Sequence, residues 1–280
     1  MKFEVIKMDE NVYRIFSCGV HEDLFLGSDR ALLWDTGCGE GGLGDTVRQL
    51  TGTRELIVVN SHVHPDHAFG NWEFQDCRTY MHPDDIAIVS EFDCPKQRKW
   101  VYDNMICGNC DQKEGDYIKE KKIADLIPME DGKEFDLGGI TLQVIHLPGH
   151  TPGCCGLLYK EKEWLYSGDC ISPWQFAPET MGLKKWMTTL EKMKALPFKK
   201  MYASHMREAQ ETSDHGEKHE IDKYIRGIES AWKNGYEKGY AYPNPVGEES
   251  VRAFMMEGFT EKEMMLPNTV CAVVSKNKFY

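Results

Sequence analysis

A chain of 280 residues with 41% hydrophobic and 28% charged content is long enough to bury one sizeable core, so one large domain with elaborations is expected. Its formal net charge of −12 disfavours an extended phosphate-binding surface, which needs clustered Lys and Arg, and no apolar run approaches the roughly 18 residues of a membrane span. The opening MKFEVIKMDENVYRIF carries no apolar stretch of signal-peptide length, so the expectation is a cytoplasmic protein whose ten cysteines are reduced thiols or metal ligands.

In chain order, FEVIKM, VYRIFSCGV, DLFLG and ALLWD read as short strands with turn signals between them. The Gly-rich GCGEGG leads into a helix around Asp45 to Leu50, and LIVV (56–59) has the continuous apolar character of a strand covered on both faces. Residues 84–128 are charged and too long for a plain connection, which points to a mostly helical insertion. GITLQVIHL and EWLYSGD then read as strands. Trp186, Leu190 and Met193 recur at helical spacing, and KMYAS follows as a strand. Ile221, Tyr224, Ile225, Ile228 and Trp232 mark one face of an amphipathic helix, a core or dimer contact. A short helix near Val251 to Met256 and a strand in NTVCAVVSKNKF complete a C-terminal extension over 206–280.

Five places put an acid or a histidine directly after a short apolar run: Asp35, the cluster His62, His64, Asp66 and His67, then His150, Asp169 and His205. In layered α/β proteins the ends of buried strands gather along one sheet edge, where ligands distant in sequence can meet. In an extended segment alternate side chains share a side, so His62 and His64 address one centre. Pro65 suits the first turn of a helix, which turns Asp66 and His67 toward a neighbouring point. His150 in PGHTPG, Asp169 in SGD and His205 supply the remaining ligands. Three histidines for one ion, Asp-His-His for the other, and a carboxylate able to bridge them form a nitrogen and oxygen set typical of catalytic zinc.

The series Asp35, HVHPDH, PGHTPG, SGD and ASH resembles the metallo-β-lactamase superfamily in order, residue type and context over roughly residues 1–205. The resemblance implies a four-layer αββα sandwich, an α/β fold, with a two-metal site at one edge. It places His62, His64 and His150 on the first ion and Asp66, His67 and His205 on the second. Asp169 bridges them, and Asp35 supports the site without touching metal. It further implies a hydrolase in which a metal-bridging hydroxide attacks an ester-like bond. Two cations generate such a nucleophile near neutral pH. Asp66 is then the catalytic acid-base residue that orients the hydroxide and passes a proton to the leaving group.

Departures narrow the subfamily. The commonest zinc β-lactamases place cysteine where Asp169 stands and lack the equivalent of His67, so β-lactam hydrolysis is disfavoured. Flavodiiron proteins have glutamate at the place of His64, where histidine suits zinc better, with iron and manganese as alternatives. Cleavage of a thioester or lactone of a small molecule is the preferred reading. An iron-dependent oxidoreductase or dioxygenase, and a phosphodiesterase or nuclease, are the alternatives. The strand-edge site is open to the insertion and the tail, from which Trp100, Tyr102, Trp174, Phe176 and Tyr240 are candidate substrate-pocket aromatics. His82 and His146 read as structural or supporting histidines, because the seven-residue ligand set is complete without them. Cys107 and Cys110 form C-x-x-C with Cys94 upstream, read as reduced thiols, with a structural zinc site or a redox pair as alternatives.

Overall fold

The computed structural model describes residues 3–106, 109–123, 125–171, 174–175, 182–205, 210–211, 219–242, 251–255 and 271–275. Packing divides the chain into two compact units, Met1–His146 with Tyr159–Lys162, and Leu147–Leu158 with Glu163–Tyr280. No described helix is long and apolar enough to cross a membrane.

The first unit opens with β1 (Glu4–Asp9), β2 (Val12–Ser17), β3 (Val20–Leu26) and β4 (Arg30–Trp34), each antiparallel to the one before. VYRIFSCGV does not run on as one strand. Cys18 at φ 42 and Gly19 at φ 89 turn the chain into the left-handed region and send it back as β3. After β4 the chain passes through α1 (Leu43–Thr51) to β5 (Glu55–Val59), then through α2 (Pro65–Ala68) and a 3₁₀ turn, Phe69–Phe74, to β6 (Arg78–Met81). Now β4, β5, β6 and β7 (Leu126–Pro128) pair in parallel, so the seven-stranded sheet follows chain order. Leu43 and Val47 of α1 close over Leu24, Leu33 and Val58, and each such side chain taken from water contributes about 1.5–3 kcal/mol.

Between β6 and β7 lie α3 (Pro83–Ile86), α4 (Val89–Phe92), α5 (Pro95–Val101), a π-helical turn at Tyr102–Ile106 and α6 (Glu114–Lys119). They bury Val101, Ile106, Tyr117 and Ile123 against Cys38, Val63, Ala68 and Phe69. The insertion thus packs on the loops that follow β4 and β5. A hairpin, β8 (Glu134–Asp136) and β9 (Thr141–His146), ends this unit.

Strand β3 is buried throughout although it reads VHEDLFL. Arg14 donates from Nε and Nη2 to the two carboxylate oxygens of its cross-strand partner Asp23, at 2.9 and 3.0 Å. Glu22 accepts from Ser17 Oγ at 2.5 Å, and burial holds its carboxyl well above the usual range.

In the second unit β10 (Cys155–Tyr159), β11 (Trp164–Gly168), β13 (Lys200–Ala203) and β14 (Gln210–Glu211) lie side by side in the order β14-β13-β11-β10. A four-stranded sheet holds β12 (Trp174–Gln175), β15 (Tyr240–Tyr242), β16 (Val251–Met255) and β17 (Cys271–Ser275) in the order β12-β17-β16-β15. The helix expected near Val251 to Met256 is therefore a strand, and antiparallel pairing of all five residues with β17 overrides its local helical composition. Helix α7 (Gly182–Lys194) buries Leu183, Trp186, Leu190 and Met193. In α8 (His219–Asn234), Ile221, Tyr224, Ile225 and Ile228 are buried, and the Tyr224 ring meets Trp186 edge-on at 5.6 Å. This face packs as core against α7.

Candidate metal centre

Asp35 and Asn60 each follow the last residue of a parallel strand, and Trp34 and Val59 are register partners, so both loops leave the same sheet edge. The first is D-T-G-C-G-E-G-G, with Asp35 at φ 65 and Gly37, Gly39, Gly41 and Gly42 all at positive φ. A left-handed aspartate is uncommon and persists where neighbours over-determine it. Here its amide donates to Val59 O at 2.9 Å. The carboxylate accepts from Ser61 N at 2.7 Å, Ser61 Oγ at 2.8 Å and His67 Nδ1 at 2.8 Å. Burial raises the Asp35 carboxyl, and the His67 and Ser61 donors pull it back.

These contacts decide which ring nitrogens are left to bind a ligand. His67 gives its Nδ1 proton to Asp35, so its lone pair is on Nε2. Ser61 Oγ has a single proton, which goes to Asp35, and it accepts from His62 Nδ1 at 2.9 Å. The lone pair of His62 is therefore on Nε2 too. His64 stands before Pro65 as the N-cap of α2, with extended backbone. Its ring lies 4.6 Å from that of His62 and 4.8 Å from Phe92, and the rings of His62 and His67 are 4.1 Å apart. Asp66 Oδ2 lies 3.6 Å from His67 Nε2. Buried imidazoles held at Nδ1, beside a carboxylate, match the donor chemistry of a zinc-type cation.

Residues not singled out in the sequence hold this loop. The His67 carbonyl accepts from Thr36 N at 2.8 Å, Thr36 Oγ1 at 3.2 Å and Asn60 Nδ2 at 3.0 Å. Asn60 and Asn71 exchange amide hydrogen bonds, and Thr36 Oγ1 donates to Asn71 Oδ1 at 2.9 Å. Asp85, fully buried, accepts from Val63 N at 2.9 Å, between the two histidines. Gly70 is required by contact: a Cβ there would stand 1.9 Å from Thr36 O. The available signal is the small polar residues bordering Asp35 in DTG and His62 in NSH.

In the second unit a single oxygen, Asp169 Oδ2, lies 3.1 Å from His205 Nε2 and 3.5 Å from His150 Nε2. His150 and Asp169 are buried, and His205 is part-exposed. Asp169 follows Gly168, which ends β11 at φ 55. Helix α7 clamps both loops: Trp186 Nε1 donates to Cys170 O at 2.9 Å, Thr189 Oγ1 donates to Pro148 O, and Gly149 lies flat against Trp186. Cys170 is a packed thiol, pushed up by burial and by the charge of Asp169.

Of the aromatics proposed for a pocket, Trp100 and Tyr102 are half-buried against the cluster containing Val63. Tyr240 is half-buried in β15. Trp174 contributes backbone to β12, while Phe176 lies outside the described residues, as does Cys107. Cys94 and Cys110 form no disulfide among the described residues, and Cys94 Sγ donates to Glu91 O at 3.7 Å.

Over part of its length the chain is similar to acyl-coenzyme A thioesterase MBLAC2 of Bos taurus, at 26% identity over 172 residues, 56% of this chain and 61% of the relative. It also resembles the atrochrysone carboxyl ACP thioesterase dmxR1 of a Cryptosporiopsis strain, at 30% identity over 78 residues, 28% of this chain and 24% of that one. Against these curated relatives the chain thus spans less than two thirds of their length. Among solved structures, a metallo-beta-lactamase family protein from Thermus thermophilus shares the fold with a TM-score of 0.56 at 20% identity, covering 75% of this chain and 76% of that one. The model of the metallo-beta-lactamase superfamily matches residues 24–205, from within β3 through His205. With a mixed α/β fold of two long sheets, and with Asp35, the HVHPDH cluster, His150, Asp169 and His205 each following a strand inside that span, the chain belongs to the metallo-β-lactamase superfamily.

Proposed function

We propose that the protein is a binuclear metal-dependent hydrolase of thioesters, with lactones as the next substrate class. In this reading His62, His64 and His150 hold one divalent cation, Asp66, His67 and His205 hold the other, and Asp169 serves both. Zinc is the preferred metal for such a nitrogen-rich set. The observation that carries the reading is the pairing of Asp35 with His67 and Ser61 with His62, which engages Nδ1 of both rings and supports Nε2 as the atom that would meet a cation. Thioesters come first because two matching relatives are named as thioesterases.

When bound, a cation pair would supply water with a pKa of about 7 and polarisation of a carbonyl oxygen. The chain's own part is positional. Asp35 and Ser61 hold the imidazoles against rotation, and burial of His62 and His67 excludes bulk water from their faces. Asp66, with 17% of its side chain exposed, stays within reach of the reacting groups and moves a proton from the attacking water to the departing thiolate.

The test is hydrolysis of acyl thioesters, lactones, phosphodiesters and β-lactams by protein reconstituted with zinc, manganese or iron. The expected result is highest turnover with a thioester and zinc, falling at least about 100-fold in Asp66→Asn, since general acid-base catalysis contributes 10²–10⁴-fold. Full turnover by Asp66→Asn with unchanged metal content would remove Asp66 from the mechanism. Hydrolysis of phosphodiesters or β-lactams alone overturns the substrate class.

A further inference from the structure

His82 follows β6, and His146 is the last residue of β9. The chain between them ties the two ends together. Met129 N donates to Met81 O at 3.0 Å, Gly132 N to Val144 O at 2.9 Å, and His146 N to Asp131 Oδ1 at 2.8 Å. The two imidazoles stack with centroids 4.0 Å apart and planes 11° from parallel. Asp84 reaches back from α3, with Oδ2 3.8 Å from His82 Nδ1. One ligand atom from each of the three residues lies within 4.8 Å of the others.

We propose that His82, Asp84 and His146 form a separate site for a divalent transition-metal ion of the zinc type. Two imidazole nitrogens bound to one tetrahedral ion at about 2.0–2.1 Å each stand roughly 3.4 Å apart. Imidazole lone pairs lie in the ring plane, so at least one ring turns out of the stack to share the ion, closing a span of no more than 4.8 Å between the ligand atoms. Asp84, whose side chain is 57% exposed, has room to rotate onto the ion. Glu130 and Asp131 lie near enough to act on His82 electrostatically and to deepen the negative field that draws a cation in. Two nitrogens and one carboxylate oxygen suit zinc over magnesium or calcium, which prefer all-oxygen cages.

The site would not be idle. Asp84 is adjacent to Asp85, whose carboxylate holds the Val63 amide between His62 and His64. An ion fastening the first turn of α3 to β9 keeps that brace in place. The proposal stands apart from the hydrolytic reading, since it shares no ligand with it.

The test uses full-length protein stripped with a chelator and titrated with zinc by equilibrium dialysis and metal analysis. Wild type is expected to take up one equivalent more than His146→Gln, while a parallel His150→Gln variant keeps this equivalent. Equal zinc uptake by folded wild type and His146→Gln overturns the proposal. Should His146→Gln fail to fold by circular dichroism, Asp84→Asn replaces it. At least tenfold weaker binding of one equivalent supports the site, and unchanged binding overturns it. Loss of turnover in the Asp66 variant bears only on the other centre, so the two readings fail separately.

Discussion

Replacing Asp35 with Asn keeps the size of the side chain and changes which atoms can accept. The contact from Ser61 N to Oδ1 survives, but an amide nitrogen in place of Oδ2 meets the donors Ser61 Oγ and His67 Nδ1 head-on. Two charge-assisted hydrogen bonds at about 1.5–3 kcal/mol each are lost. Relief of the buried carboxylate, whose desolvation already raises Asp35, offsets part of this. The net loss for the metal-free fold is expected at about 1–3 kcal/mol, read by urea denaturation. His67 then has reason to move its proton to Nε2, away from its former acceptor, so zinc affinity falls about 10- to 100-fold. Competition against a chromophoric chelator measures that. Wild-type affinity in a folded Asp35→Asn protein would refute the tautomer argument, and a stability loss with no affinity change would make Asp35 a structural residue only.

Glu22→Gln tests the buried acid on β3. Its folded pKa is raised above the unfolded value, so the folded state binds the extra proton, and wild-type stability declines by about 1.4 kcal/mol per pH unit as pH rises past the unfolded pKa. The amide has no such dependence. The variant should be the more stable protein at pH 7, by a margin that shrinks toward pH 4.5, and parallel melting curves across that range would count against it. Gly149→Ala puts a Cβ 3.0 Å from Trp186 Cδ1 and 3.3 Å from its backbone Cα. Overpacking of this kind costs about 1–3 kcal/mol, and adding Trp186→Phe should recover part of the melting temperature; additive losses would mean the contact is not the cause.

The strands of the first unit were legible because each is a short apolar run punctuated by Gly, Asp or Asn. The break at Cys18–Gly19 was not, since its left-handed cysteine is permitted by the hairpin register of β2 and β3 and by nothing local. Val251–Met255 misled for a related reason: one turn of helix and one buried strand look alike over five residues, and the partner that decides, β17, arrives sixteen residues later. At the candidate centre the histidines and aspartates stand out in the sequence because such residues directly after a strand are chemically conspicuous. Ser61, Thr36, Asn60, Asn71 and Asp85 do not, because a hydroxyl or amide that orients an imidazole has the same composition as one that ends in water.

The seven-stranded sheet pairs its strands in the order in which they are made. A growing polypeptide can therefore zip each new strand onto the last as it leaves the ribosome, with short helical crossovers before β5 and β6 and the longer helical insertion before β7. The loop that carries His62, His64, Asp66 and His67 can thus be shaped, with Asp35 and Ser61 already in place, well before His150 is translated.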